Sequence, residues 1–140
     1  MIIILILIYA AIINKKDLVM RIETSYYDNI KNIDKDKILI SISGDISKEI
    51  KDKIDLWDKR LAPSWSIYKE YTETKDEILY TKRFYKEILE KRNLLNIINE
   101  WIAKFGKDKT YVLLCYEEEG LFCHRHLVYK EFKILIDKNQ

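Results

Sequence analysis

Between Thr110 and His126 the chain reads TYVLLCYEEEGLFCHRH and gathers both of its cysteines, both histidines and one of its three glycines. Cysteine, histidine, arginine and glutamate carry nucleophilic, acid–base and anion-binding chemistry. Here an apolar run delivers Cys115 to the end of a strand. The acidic run Glu117-Glu118-Glu119 closes at Gly120, and Cys123-His124-Arg125 opens an amphipathic helix. The first four amides of a helix lack internal partners, and its dipole makes that end electropositive. Arg125 adds a cation whose fork matches a carboxylate or phosphate, and a thiol in such a place has its pKa lowered. The junction is therefore expected to be an anion receptor or the seat of an activated nucleophile. Arg125 and the helix amides would hold the anion, Glu117 or Cys123 would act as base or nucleophile, and His124 would move a proton.

Each of these residues also has a plainer use. Cys115 and Cys123 can pack as small core residues, His124 sits one turn before Val128 on the inward face, and His126 reads as surface. Arg125 stands out, because a cation is disfavoured at a helix start and needs a partner there, either a ligand or Glu117. Cys115, Cys123, His124 and His126 are enough in number for tetrahedral zinc. Their spacing gives neither C-x-x-C nor a helical H-x-x-x-H, and adjacent helix residues point about 100° apart, so no metal and no cofactor is expected. A phosphatase loop, a Walker loop and a Gly-rich dinucleotide fingerprint are all absent from the sequence.

Such a junction needs strands and helices to position it. Arg21–Tyr27 reads as a strand, the polar Asp28–Asp36 as a loop, and Lys37–Ser43 as a second strand buried on both faces. Ser47 caps an expected helix reaching Trp57, and Leu61-Ala62-Pro63-Ser64 breaks the pattern. Three helices follow: Ser66–Tyr71, one capped by Asp76 with a Tyr80-Phe84-Ile88 stripe, and one capped by Asn93 that stops at Gly106. Tyr111–Cys115 is the last strand, and the final helix from Cys123 carries Val128, Phe132, Leu135 and Ile136 inward. Helices between apolar strands argue for an α/β fold: a small, mostly parallel sheet flanked by helices, in a single domain with a helix-rich second half.

At 140 residues the chain suits one domain with a self-sufficient core. Its formal net charge is only +2, with acids and bases interleaved, which argues against a nucleic-acid backbone as the main partner. Two cysteines without an export signal indicate free thiols in a reducing, cytoplasmic compartment. Residues 1–13 are almost wholly apolar, yet a spanning helix needs about 20 such residues. Three readings stand: an extension outside the domain, a membrane-dipping anchor, or a buried strand. Met20 opens a natural strand and favours a division into an extension over 1–19 and a single α/β domain over 20–140.

Thr24-Ser-Tyr-Tyr27, Ile40-Ser-Ile-Ser43, Leu61-Ala-Pro-Ser64, Tyr80-Thr-Lys-Arg-Phe-Tyr85 and Leu113-Leu-Cys-Tyr-Glu117 through Cys123-His-Arg125 together resemble the domain of unknown function 488 family. The resemblance spans roughly residues 20 to 136 and leaves the leader outside. It implies a compact α/β domain of bacterial, archaeal or viral origin, with no activity attached to the family name. It also implicates Cys115, Glu117, Cys123, His124 and Arg125, with Ser43, Pro63, Tyr80 and Arg83 as walls of the site. One departure is Asp45-Ile-Ser47, where the family pattern carries a proline. Two functions compete. In the first, the domain binds or processes a small anionic, nucleotide-like or phosphate-bearing molecule at 115–125. In the second, the same side chains form a buried structural network within a binding or interaction module. Nucleic-acid binding is a distant third, and neither an enzymatic reaction nor an oligomeric state is legible.

Overall fold

The computed structural model describes residues 19–139, so the expectations for residues 1–18 lie outside the described part. Among the described residues four strands form one sheet in the order β1-β4-β2-β3: β1 Met20–Tyr26, β2 Ile38–Ser41, β3 Leu56–Trp57 and β4 Lys109–Cys115. Every pairing is parallel, with Tyr26 opposite Cys115 and Ile40 opposite both Leu113 and Leu56. The helices are α1 Lys48–Lys51, α2 Trp65–Thr74, α3 Glu77–Glu87, α4 Leu94–Phe105 and α5 His124–Lys138. The expected fold class and the helix-rich second half are present.

Strand periodicity sorts the core. Tyr111 and Leu113 point with Ile40 and Ile42 into the larger cluster, where Phe84, Ile98, Trp101, Val128 and Phe132 supply the facing helix surfaces. Val112 and Leu114 point the other way, into a smaller cluster with Tyr27, Ile30, Ile33, Ile50 and Ile54. Both faces of β4 are therefore covered, which is why its sequence is apolar without alternation. By the same parity Cys115 lies on the side of the larger cluster.

The helix starts are set by short polar side chains. Ser64, Asp76 and Asn93 accept from the amides of Ile67, Leu79 and Asn96 at 3.2, 3.0 and 3.1 Å, each closing one orphan donor of a first turn. Gly106 ends α4 at φ +107°, a conformation open to glycine.

Two expectations are corrected. The helix from Ser47 to Trp57 is a single turn, capped by Ser47 at 3.2 Å from the Ile50 amide. The chain then returns to the sheet as β3, with Asp58 N–H donating to the Ser41 carbonyl at 2.8 Å. Edge pairing against β2 outweighs the helical spacing of Ile50, Ile54 and Trp57. Asp28–Asp36, expected as a plain loop, begins inside a 3-10 helix over Tyr27–Asn32.

Candidate functional site

The central strand β4 ends at Cys115, and α5 begins eight residues later at its N-cap, Cys123. The intervening turn, Tyr116 to Leu121, is exposed, whereas Cys115, Cys123, His124 and Arg125 beneath it are all buried. Gly120 makes the turn possible at φ +85°.

Cys115 and Cys123 are joined as a disulfide, so among the described residues no cysteine is free. The expectation of free thiols is corrected accordingly. Strand parity aims Cys115 at the first turn of α5, where Cys123 sits. The Cα atoms of the two cysteines are 7.9 Å apart, wider than the roughly 4.4–6.8 Å that a disulfide usually spans.

His124 packs under Phe84, ring centroids 5.5 Å apart, and its Nε2 lies 2.7 Å from the Ile42 carbonyl. A carbonyl only accepts, so Nε2 carries the proton and donates. Burial, with Arg125 and His126 adding repulsion and the Ile42 carbonyl opposing, pushes its pKa down to about 4. The ring is therefore neutral near pH 7, and its Nδ1 is an acceptor 3.6 Å from Cys123 Sγ. One hydrogen bond thus fixes both the tautomer and the direction of the free nitrogen.

Arg125 is wholly buried. Its Nη1 donates to Cys115 Sγ at 2.9 Å and to the Glu117 carbonyl, and its Nη2 donates to the Glu118 carbonyl at 3.0 Å. Its carboxylate contact is with Glu119, at 3.9 Å and half exposed. Among the described residues Nε has no hydrogen-bond partner. Burial lowers the guanidinium pKa, with Glu119 and Glu117 opposing. The partner demanded by a cation at a helix start is thus the backbone and sulfur of the turn. The Glu117 carboxylate turns instead to Cys115 Sγ, at 3.2 Å.

The other expected residues are distributed more widely. Tyr80 is buried, its ring 5.1 Å from Phe122, and burial followed by Glu117 and Tyr71 raises its pKa. It forms a wall behind the junction. Ser43 is on the opposite side of the sheet, where Tyr27 OH lies between Ser41 Oγ at 2.5 Å and Ser43 Oγ at 2.7 Å. Arg83 is spent between α2 and α3, on Glu87 at 2.7 Å, Glu70 at 3.3 Å and Ser66. The structure thus brings together Cys115, Glu117, Cys123, His124 and Arg125, with Tyr80 behind them, and leaves Ser43 and Arg83 elsewhere. Pro63 is half-buried, its carbonyl 3.8 Å from where a Cβ on Gly44 would sit. His126 is half-buried rather than surface.

Two contributions were not read from the sequence. The Ile42 carbonyl that holds His124 is a backbone group, which no side-chain pattern announces. Phe122, just before the Cys-His-Arg run, closes the aromatic wall against Tyr71 and Tyr80; its apolar character beside three polar residues was the available signal. Unfavourable spacing along the chain does not keep the metal-ligating groups apart in space. Cys115 Sγ, Cys123 Sγ and a nitrogen of His124 lie within 4.8 Å of one another, all buried, because the strand-to-helix return brings together residues that are distant along the chain.

The family model DUF488-N3a, described as the active DUF488-N3 subclade, matches residues 23–134. The chain belongs to the DUF488 family. The matched span runs from β1 into the last turns of α5 and includes every residue of the junction. No curated protein and no solved structure matches this DUF488 chain. Among its described residues no helix is long and apolar enough to cross a membrane.

Proposed function

We propose that this DUF488 domain binds and processes a small anionic molecule, nucleotide-like or phosphate-bearing, at the junction of β4 and α5. One observation carries the reading: Arg125 is a buried cation with incomplete compensation. Its ion-pair contact is long and solvent-facing, and among the described residues its Nε has no hydrogen-bond partner. An unpaired buried charge is costly, so an anion docking at the first turn of α5 relieves a deficit already present. That turn has no acidic residue and no side-chain cap, an electropositive helix start that suits the same ligand. Glu117, beside Cys115 and at the rim, is the base that reaches a bound molecule from solvent. The description of the matched subclade as active agrees with chemistry at this site.

The test is thermal unfolding of the full chain against inorganic phosphate and a panel of nucleoside mono-, di- and triphosphates, with phosphorus NMR for turnover. A ligand-dependent rise in Tm, abolished by Arg125→Met and kept by Glu117→Gln with loss of turnover, is the expected result. No shift in the unmodified chain with any of these anions would sink the proposal.

A second reading is favoured by a specific observation: both Nη atoms of Arg125 are committed to carbonyls of the 116–119 turn. On that reading the guanidinium is an internal strut and the domain a non-catalytic interaction module. Two hollows among the described residues, of about 430 and 220 Å³, lie elsewhere, against Trp57-Asp58-Trp101 and against Met20-Ile136. The same titration separates the two readings, because a strut produces no ligand-dependent shift.

A further inference from the structure

We propose that Cys115, Cys123 and His124 form a binding site for a soft divalent metal ion, zinc, with three protein ligands and a fourth position beside Glu117. Cys115 Sγ, Cys123 Sγ and an imidazole nitrogen are a Cys2His donor set, and all three donors lie within 4.8 Å of one another in a buried setting. Two sulfurs and one imidazole are the ligands that zinc selects over harder ions.

Four further features fit a metal. First, the cysteine Cα atoms are 7.9 Å apart, outside the usual disulfide span of roughly 4.4–6.8 Å. The structure joins the two sulfurs directly; in the reduced pair, thiolates sharing a tetrahedral zinc stand about 3.8 Å apart, as follows from Zn–S bonds near 2.3 Å, and the wide backbone spacing suits that opened sulfur–metal–sulfur bridge. Second, His124 donates from Nε2 to the Ile42 carbonyl at 2.7 Å. Metal-bound histidines are oriented in this way, with the outer nitrogen on a carbonyl and the inner one on the ion. Third, Arg125 donates to Cys115 Sγ at 2.9 Å, and such an N–H contact supports a ligating thiolate from outside the coordination sphere. Fourth, the charges balance: two thiolates neutralise the ion, and the Arg125 cation is left for an anion. Glu117 Oε2, 3.2 Å from Cys115 Sγ, borders the fourth position.

The existence of the site is independent of the proposed ligand; its role rests on that reading. A zinc ion with an open position polarises a carbonyl or phosphoryl oxygen, or lowers the pKa of a bound water, next to the cation that would hold an anionic substrate.

The test uses the full chain purified under reducing conditions and dialysed against zinc. Elemental analysis is expected to find about one equivalent retained per chain, and none in Cys123→Ser or His124→Asn. Should those variants fail to fold, cobalt substitution of the unmodified chain supplies the readout. A thiolate-to-cobalt charge-transfer band with intense tetrahedral d–d bands supports the site. A chain that retains no zinc and shows no such bands overturns it, as does a Cys115–Cys123 disulfide that persists under reductant by mass spectrometry. Zinc retention without any anion-dependent Tm shift removes the proposed ligand and keeps the metal; a shift without zinc does the reverse.

Discussion

Arg125 donates from Nη1 to the sulfur of Cys115 across 2.9 Å, and both side chains are shut away from water. That contact, with the carbonyls of Glu117 and Glu118, ties the first turn of α5 to the end of β4. Removing the guanidinium leaves two carbonyls and a sulfur without their donor. Arg125→Ala is expected to lower the stability by about 3–5 kcal/mol, read from urea midpoints. Arg125→Lys keeps the charge but loses the fork and falls between the two. An alanine variant within the ordinary scatter of a surface substitution refutes the strut.

Tyr27 reaches across the smaller cluster to two serines that are themselves buried. Tyr27→Phe removes the shared hydroxyl and leaves Ser41 and Ser43 competing for other partners. The expected cost is about 1–2 kcal/mol, with Ser41→Ala adding little on top because the partner has already gone. Fully additive losses in this double-mutant cycle contradict the shared-hydroxyl account.

Asp58 supplies a pH-dependent term. Its Oδ2 accepts from Trp101 Nε1 at 2.9 Å, and Arg60 reaches both oxygens at 2.9 and 2.8 Å. Burial alone would raise its pKa, but the Arg60 and Trp101 hydrogen bonds outweigh burial and hold it below the ordinary 3.8. A depressed carboxylate stabilises the fold above its unfolded value, and that contribution disappears as pH falls through the folded value. Asp58→Asn is expected to cost about 1–2 kcal/mol at neutral pH, a modest figure because Arg60 is partly solvated. The gap between parent and variant narrows as pH drops below 3.8. Equal gaps at every pH in denaturant titrations would count against it.

Gly106 holds φ +107° and ψ 157° at the end of α4. A Cβ there meets only Lys109 Cε at 3.5 Å, an ordinary contact, so the penalty is one of backbone conformation. Gly106→Ala should destabilise by about 1–3 kcal/mol. Gly44→Ala is the control, since its added Cβ would lie 3.8 Å from the Pro63 carbonyl at an unstrained φ. It is expected to be near neutral in thermal unfolding.

Most of the architecture was legible because its signals are local. Ser64, Asp76, Asn93 and Gly106 mark helix ends through bonds within a few residues, and the unbroken apolar run of β4 announces a strand covered on both sides. The short strand β3 was not legible. Leu56 and Trp57 take strand geometry from β2, which is distant along the chain, and carry no alternation of their own. The junction was found for a sound reason, the density of polar side chains at one strand–helix return. Its internal wiring was not. Whether Glu117 offers Arg125 its carboxylate or its carbonyl depends on the path of the turn, and residue spacing does not encode that path. Ser43 and Arg83 came from resemblance alone, and strand parity with the Glu70 and Glu87 ion pairs puts them to other uses.

The placement of β4 at the heart of the sheet has a consequence for biosynthesis. Among the described residues β1 bonds only to β4, whose first residue comes 83 positions after the end of β1. A nascent chain leaving the ribosome therefore carries β1 without its β4 partner until almost the whole domain has been made. Non-local pairing of this kind delays productive folding and leaves the hydrogen-bonding edge of β1 open to wrong associations in the interval. The segment that completes the sheet is also the one that delivers Cys115 and Cys123-His124-Arg125. Assembly of the candidate centre and closure of the fold are thus a single late event, and a truncated product lacking the C-terminal third would have neither.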